Sequence, residues 1–207
     1  SLCRDKSLPF ELIKVDIRPY RHLGLEGAAR EVRYQALAGC SADVIVVAQH
    51  QDDQAETLLL QLMRGAGAKG LSAMPAERKL LEGKARLLRP ILHVSRDELE
   101  EYASEMRLEW VEDESNSDVR LKRNFLRVRV LPVLEEGFPG ARAAIARSAA
   151  NLAEASQLLD VLAEQDLRQV SGESGLKVVK LLALGDARAR NALRRWAELG
   201  GLVWPGN

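Results

Sequence analysis

The chain has 207 residues, of which 46% are hydrophobic and 29% charged, as in globular proteins. No apolar run approaches the ~20 residues that a membrane span requires, so we expect no membrane association. The formal net charge of +0 does not indicate a nucleic-acid partner, although balanced totals leave room for local basic patches. Cys3 and Cys40 are too few for a disulfide framework and predict reduced thiols of a cytoplasmic protein.

The first third of the chain alternates strand and helix patterns. Residues 10–17 alternate in polarity as a strand does, and residues 25–38 have helical periodicity. Residues 43–48 are continuously apolar, which is typical of a buried parallel strand, and a helix is predicted over 51–64. This order predicts an α/β fold with a parallel sheet and right-handed crossovers.

The remainder is predicted to be mainly helical. After a loop-rich stretch with a short strand at 86–88, Ser95 and Glu98 form a capping box that begins a helix reaching about residue 107. Helix is predicted again over 122–136, with a break or kink at Pro132, and over 141–169. Ser and Gly residues at 170–175 suggest a linker before two more helices, the second one capped by Asp186 and ending near residue 199.

Three carboxylates at the start of the helix over 51–64 are the first candidate site. Asp52, Asp53 and Glu56 are three or four residues apart and therefore share one helix face. Carboxylates that follow a strand lie where open α/β sheets bind ligands, and they suit Mg²⁺ or a cationic substrate. The alternative is that acidic residues in a first turn simply stabilise the helix dipole.

A glycine-rich turn follows the same helix. Arg64 and Gly65 are ordinary signals for a helix C-terminus. Gly65, Gly67 and Gly70 match the spacing G-x-G-x-x-G, but a dinucleotide loop must follow a strand and open a helix. Because this turn closes a helix, we do not predict a dinucleotide site here.

Basic residues are concentrated in two places. The first cluster lies within 120–129, where no acidic residue intervenes, and the second lies next to Trp196. The members are Arg120, Lys122, Arg123, Arg127 and Arg129 in the first, and Arg188, Arg190, Arg194 and Arg195 in the second. Solvated helix surface is one interpretation of each cluster, and contact with phosphate or tRNA is the other.

Four motifs in order resemble a known family. Residues 48–71 resemble AHHxDDQAETxLLxLxRGxGxxGL, with Gln49 in place of the first His of the pair. Residues 88–92 resemble its RPLL stretch, 110–116 its W-x-x-D-x-S/T-N, and 123–127 its R-N-x-x-R. Together they resemble the tRNA(Ile)-lysidine synthases, which are N-type ATP pyrophosphatases with a PP-loop. Four ordered motifs are far more specific than one.

The resemblance implies a Rossmann-like fold of the adenine nucleotide alpha hydrolase type. The family begins with S-G-G-x-D-S, a loop whose backbone N–H groups hold the phosphates of ATP, and residues 1–207 contain no such sequence. We therefore expect a chain truncated at its N-terminus that would not turn over by itself. The predicted domains are the C-terminal part of a PP-loop α/β domain at 1–135, a helical connector at 136–170, and the start of a tRNA-binding domain at 171–207.

The activity implied by the resemblance is ATP-dependent ligation of lysine to C2 of the wobble cytidine of tRNA(Ile), through an adenylated cytidine, to form lysidine. The implied cofactors and partners are ATP, Mg²⁺, L-lysine and tRNA(Ile) with a CAU anticodon; a homodimer is a further expectation. Two alternatives stay open. One is a tRNA-thiolating PP-loop enzyme, which Cys3 and Cys40 do not favour because they lack C-x-x-C spacing. The other is a non-catalytic tRNA-binding fragment.

The resemblance also implies roles for residues. Asp53 and Glu56 would bind the lysine ammonium, Asp52 would bind Mg²⁺, and Arg127 would complete the catalytic group. Substrate would contact the following residues: His50, Arg64, Gly65, Gly67, Asp113, Asn116, Arg123 and Asn124. The tRNA would contact Arg120, Lys122, Arg188, Arg194 and Arg195. Helix capping, loop organisation and surface ion pairs are the corresponding structural alternatives.

Overall fold

The computed structural model describes residues 2–80, 85–111, 114–172 and 175–202. It confirms the α/β class. The chain divides into two compact units, one formed by Ser1–Val47 with Ala76–Pro90 and the other by Ala48–Pro75 with Ile91–Asn207.

The first unit contains a small mixed sheet and one long helix. Its elements are α1 (Leu2–Asp5), a 3-10 turn (Arg18–Leu23), α2 (Gly24–Ala38), β1 (Val44–Val46), β2 (Glu77–Leu80) and β3 (Ala85–Leu88). The strand order is β1-β3-β2. A parallel pairing is present, but it joins β1 to β3 and not to the strand predicted over 10–17, and β2 runs antiparallel to β3. Ile45 and Leu87 are buried at the centre of the core, and Tyr34 and Leu37 of α2 pack against it.

Two strand predictions in this unit need correction. Residues 10–17 form no strand, and Phe10 and Leu12 are both 73% exposed. Alternating polarity is not sufficient for a strand, because its backbone groups need a neighbouring strand, and the described residues provide none beside this segment. The strand predicted over 43–48 is confirmed but shorter, and Val44 and Val46 on either side of buried Ile45 are exposed.

The second unit is almost entirely helical. Its helices are α3 (Gln51–Leu62), α4 (Ala68–Leu71), α5 (Arg96–Glu105), α6 (Lys122–Phe125), α7 (Leu131–Gly137), α8 (Ala141–Val170), α9 (Val178–Ala183) and α10 (Asp186–Leu199). The capping box of α5 is confirmed, since the Ser95 hydroxyl accepts the N–H of Glu98 and the Glu98 carboxylate accepts the N–H of Ser95. The Ser95 hydroxyl also donates to Glu98 Oε2 at 2.7 Å, and this bond together with the bond from the Ser95 N–H lowers the pKa of Glu98 below its ordinary value.

The helix over 122–137 does not break at Pro132 as predicted. A π-helical turn (Leu126–Val130) joins α6 to α7, and the proline occupies the first turn of α7. Proline lacks the N–H that an α-helix would need at that position, and a widened turn before it removes the conflict. The chain therefore continues helically through both basic side chains of the R-N-x-x-R motif.

The segment predicted to be a linker is instead part of the packed structure. Two short strands, β4 (Ser171–Gly172) and β5 (Gly175–Leu176), pair antiparallel after α8. Val170, Leu181 and Ala192 then form one buried cluster in which α8, α9 and α10 meet. Asp186 begins α10, but Gly185, with a φ of 80°, occupies the cap position.

The turn between α7 and α8 generates a pH-dependent prediction. The Glu135 carboxylate accepts the backbone N–H groups of Gly140 at 2.6 Å and Arg142 at 3.1 Å. The bonds from Arg142 and Gly140 lower the pKa of Glu135 below its ordinary value. A carboxylate whose pKa falls on folding stabilises the fold above its unfolded value of about 4.3. That contribution is lost as the pH falls through the lowered folded-state pKa.

We therefore expect Glu135→Gln to lower the Tm by about 2 °C at pH 7. The difference from the unmodified chain should disappear at a pH below the folded-state pKa. The measurement is thermal unfolding followed by circular dichroism across this range. Glu136→Gln, a change at an exposed neighbour, is the matched control. An equal loss at every pH would contradict the role of the charge.

Candidate active site at the start of α3

The first turn of α3 is held by the backbone and by one of its own carboxylates. His50 occupies the cap position with extended backbone, and its N–H donates to Asp53 Oδ2 at 3.1 Å. Asp53 thus caps the helix, as the structural alternative requires. Its other oxygen, Oδ1, remains directed toward arginine side chains.

Glu56 is the centre of the site. Its side chain is completely buried, with 0% exposure. Arg123 donates from Nε to Oε2 at 2.6 Å, and Arg127 donates from Nε to Oε1 at 2.6 Å and from Nη2 to Oε2 at 3.1 Å. Both oxygens therefore bind guanidinium groups from the 122–130 helix. Removing one partner from such a buried group leaves an uncompensated charge.

The same two arginines also contact Asp53. Arg127 Nη2 lies 3.4 Å from Asp53 Oδ1, and Arg123 Nη2 lies 3.7 Å from the same atom. Burial lowers the pKa of Arg127, but its hydrogen bond to Glu56 and the charges of Glu56, Asp53 and Asp52 outweigh burial and raise this pKa above its ordinary value. The arginine side chains are 30% and 25% exposed, so part of each guanidinium remains accessible.

Asp52 has partners of its own. Its Oδ1 accepts the backbone N–H of Arg96 at 3.1 Å, and Arg142 Nε forms an ion pair with Oδ2 at 3.2 Å. Among the described residues, no group of three or more His, Cys, Asp and Glu side chains could hold a metal ion. The geometry therefore gives no support to Asp52 as a ligand of Mg²⁺.

His50 lies beside both aspartates without bonding either one closely. Its Nδ1 is 3.8 Å from Asp52 Oδ1, and its Nε2 is 3.6 Å from Asp53 Oδ2. Nδ1 is also buried with no hydrogen-bond partner among the described residues. The imidazole is therefore positioned between two carboxylates, and its side chain is 17% exposed.

Three further residues belong to this site although the motif comparison gave them no role. Thr57 Oγ1 donates to the carbonyl oxygen of Asp53 at 2.7 Å and accepts from Arg123 Nη2 at 3.1 Å. Gln54 both donates to the carbonyl oxygen of Met74 and accepts its N–H, each at 2.8 Å. Arg142, from α8, is the third. Residue types and spacing could have indicated Thr57 and Gln54, which are in the motif, but nothing local indicated Arg142.

Comparison with known proteins places this site in a family. A PP-loop domain matches residues 1–134, which include α3 and the 122–130 helix. The chain belongs to the PP-loop domain family. It is 46% identical over 99% of its length to a tRNA(Ile)-lysidine synthase of Coxiella burnetii, covering 45% of that protein. It is 45% identical to one of Pseudomonas fluorescens over 96% of the chain and 46% of the relative. It is 48% identical to one of Nitrosomonas europaea over 94% of the chain and 43% of the relative.

These relatives confirm the resemblance seen in the motifs. The PP-loop chain spans less than half the length of each of these three curated proteins. In the described part of the chain, no helix is long and apolar enough to cross a membrane.

The glycine turn of this PP-loop chain closes α3 as the helix-end interpretation predicts. Gly65 has a φ of 71°, a conformation that glycine adopts without strain. The N–H of Gly65 bonds the carbonyl of Leu62, and the N–H of Ala66 bonds that of Gln61, which is a Schellman ending. Arg64, Gly65 and Gly67 are exposed. At Gly70, a Cβ would lie 2.6 Å from the Cβ of Ala66, so close packing requires glycine there.

The remaining residues that were predicted to contact substrate or tRNA differ in their burial and in their partners. Asn124 is buried, and its Nδ2 donates to the carbonyl oxygen of Asp118 at 3.1 Å, which anchors the preceding loop. Asn116 is exposed, and Asp113 lies outside the described residues. Arg120 is 88% exposed and pairs with Asp118, whose pKa its hydrogen bonds lower. Lys122 is exposed.

Two of the four arginines of the second basic cluster pair with carboxylates within the PP-loop chain. Arg188 forms a two-pronged pair with Asp166, which is completely buried in α8. Arg195 pairs with Glu164 and lies 3.6 Å from Asp160 and 3.5 Å from Glu198. Arg194 Nη2 approaches Asn191 Oδ1 at 3.4 Å. These contacts join α10 to α8, as the ion-pair alternative predicts for Arg188 and Arg195.

The burial of Glu56 generates a stability prediction. Glu56→Gln should lower the free energy of unfolding by about 3–5 kcal/mol, because two partly buried guanidinium groups lose their counter-charge. The measurement is equilibrium unfolding in urea. Glu100→Gln is the matched control, since Glu100 is 53% exposed and pairs with Arg96 on the surface of α5. The control should change stability by about 0.5 kcal/mol or less. Equal effects of the two substitutions would show that the buried cluster is not a major source of stability.

Proposed function

We propose that this chain is the PP-loop part of a tRNA(Ile)-lysidine synthase, which uses ATP to ligate lysine to C2 of the wobble cytidine of tRNA(Ile). The observation that carries the proposal is the Asp53–Glu56–Arg123–Arg127 cluster, in which two separate motifs of the resemblance meet. Proteins of that name, at 46% and 45% identity over nearly the whole chain, support it.

The first step activates the cytidine. Its carbonyl oxygen O2 attacks the α-phosphorus of ATP, the bond from that phosphorus to the bridging oxygen breaks, and pyrophosphate leaves. Negative charge on the transferred and departing phosphates needs fixed cationic partners. Arg123 and Arg127 fit this need because their inner nitrogens bind Glu56 while their side chains remain partly exposed.

The second step joins lysine to the activated base. The neutral ε-amine attacks C2, the bond between C2 and O2 breaks, and AMP leaves with that oxygen. We assign an ammonium group of the lysine substrate to Asp53, whose Oδ1, among the residues that the structure describes, has only the longer arginine contacts of 3.4 and 3.7 Å. His50, beside Asp53, would help to orient it.

Glu56 receives a different role from Asp53. Its complete burial and its three short contacts with arginine nitrogens favour a positioning residue that holds Arg123 and Arg127 in place. Asp52 likewise holds Arg142 and the start of α5. In this proposal Mg²⁺ would accompany the phosphates of ATP, and no step depends on a protein-bound ion.

Contacts with tRNA are assigned to the exposed basic residues near the cluster. Arg120 and Lys122 fit a phosphate backbone, and Arg194 is a further candidate on α10. Arg188 and Arg195 fit less well, because both pair with acidic residues of α8. Arg64, Gly65 and Gly67 stay predictions for contact with the adenylated intermediate. Asn116 and Asn124 stay predictions for substrate contact. A cytoplasmic location goes with a tRNA substrate, and a homodimer stays a prediction that light scattering can test.

The test of the proposal is Asp53→Asn in the intact protein. Asparagine can still accept the His50 N–H, so the helix cap is retained while the charge is lost. We expect kcat/KM for lysine to fall by about 100-fold or more, since an ammonium loses its paired charge. Incorporation of radiolabelled lysine into tRNA(Ile) transcripts measures this, and filter binding should show tRNA affinity unchanged within about twofold.

The matched control is Asp97→Asn, the same chemical change in the first turn of α5 at an exposed position. It should leave both quantities unchanged. Full lysine transfer by the Asp53 variant would remove Asp53 from the lysine site. Lysine-independent addition of sulfur to tRNA by the unmodified protein would instead identify a thiolating enzyme.

The tRNA surface has its own prediction. Lys122→Gln should weaken tRNA binding at every salt concentration tested and reduce the slope of log K against log[salt] by about 1, because one phosphate contact is lost. Lys14→Gln, another exposed lysine, is the control and should leave the slope unchanged. An unaltered slope for the Lys122 variant would make this residue ordinary surface.

A further inference from the structure

The first unit contains a basic recess whose lining residues lie outside the four motifs of the resemblance. It lies between α2 and β2, and three cationic residues but one acidic residue line it. The cationic residues are Arg30, Arg78 and Lys79, and the acidic one is Glu31. Glu31 itself accepts a hydrogen bond from Gln35 at 2.9 Å. Because the cationic residues outnumber the acidic one, the recess is positively charged.

Arginine side chains converge on one aromatic ring inside this recess. The guanidinium carbon of Arg78 lies 4.4 Å from the centroid of the Tyr34 ring, and that of Arg30 lies 5.5 Å from it. Arg89, which is 2% exposed, places Nη2 at 3.5 Å from the Tyr34 hydroxyl. Stacking on the Tyr34 ring restrains the orientation of the guanidinium groups of Arg78 and Arg30.

Arg78 differs from the other basic residues of the sheet. Its Nε is buried with no hydrogen-bond partner among the described residues. Arg86 on the neighbouring strand, in contrast, pairs with Glu77 at 3.2 Å. A buried donor without an acceptor is costly, and an anion bound in the recess beside Arg78 would lower that cost.

The pKa of Tyr34 also indicates that the recess is positively charged. Burial raises the pKa of Tyr34, but the charge of Arg30, the hydrogen bond of Arg89 and the charges of Arg78 and Arg89 outweigh burial and lower it. The phenol thus experiences a strongly positive environment. An anion in the recess would experience the same attraction.

We propose that this recess binds a phosphate group of the tRNA backbone, with the guanidinium group of Arg78 supplying one positive charge and Lys79 a second. The planar donor fork of arginine suits phosphate oxygens, and phosphate contacts position a nucleic acid without reading its sequence. The inference rests on the proposed function, because tRNA as the source of the phosphate comes from it. Free phosphate or pyrophosphate has the same chemistry and is distinguished by the test.

The test is Arg78→Gln in the intact protein, with fluorescently labelled tRNA(Ile) as the probe. We expect the Kd to rise about three- to tenfold and the salt slope to fall by about 1. Arg78→Lys, which keeps the charge but not the planar fork, should retain the slope and recover part of the affinity. Arg86→Gln is the matched control, because it removes an arginine from the adjacent strand that already has a carboxylate partner.

The outcomes separate this proposal from the proposed function. If the unmodified protein binds tRNA and transfers lysine while Arg78→Gln changes neither the Kd nor the slope, the recess is not a tRNA contact and the function stands. If the unmodified protein neither binds tRNA nor transfers lysine, the proposed function fails. Calorimetric titration with pyrophosphate at constant ionic strength forms the second arm. Binding that Arg78→Gln abolishes, with tRNA affinity unaltered, would assign the recess to the free anion and overturn the tRNA proposal.

Discussion

The site depends on the burial of one carboxylate. Transferring the Glu56 charge from water into the interior costs several kcal/mol, and the fold can tolerate it only because two arginine side chains meet both oxygens. Those arginines come from a helix about seventy residues later in the chain. The ion cluster therefore fixes the distance between α3 and the 122–130 helix, and with it the position of every other group in the site.

This arrangement explains how acidic and basic groups can work together at one place. Glu56 binds the Nε atoms of both arginines, so their guanidinium groups stay 3.4 and 3.7 Å from Asp53 Oδ1. Asp53 is in turn held by the backbone of His50. A substrate carrying both phosphate and ammonium groups would meet positive and negative side chains within a few ångströms of each other. Neither the arginines nor Asp53 would need to reorganise before the reaction.

The sequence allowed some of this to be predicted, and the reasons are local ones. The spacing of Asp52, Asp53 and Glu56 determines that they share a face, and the Ser95–Glu98 pattern determines a cap, because both depend on residues within one turn. The prediction of a strand over 10–17 was wrong, because a strand depends on a pairing partner elsewhere in the chain.

Pairing between distant residues was equally outside the reach of the sequence. Asp166 and Arg188 are both charged and both on helices, yet nothing near either one indicates that they bind each other. The second basic cluster was for that reason interpreted as possible tRNA surface, whereas much of its charge holds α10 against α8. Motif resemblance indicated a candidate site, but only the three-dimensional structure could show which charges are already neutralised.

The amide of Gln54 has a consequence for which substitutions this fold can accept. The Gln54 side chain donates one hydrogen bond to the backbone of Met74 and accepts another from it. These are the two bonds that a neighbouring strand would make with that residue. Asparagine, like glutamine, carries a donor and an acceptor on one planar amide, but its side chain is shorter by a methylene. Glutamate would lose the donor and lysine the acceptor. A substitution at residue 54 would therefore alter the glycine-rich loop between the two residues, even though residue 54 lies among the charged residues of the site.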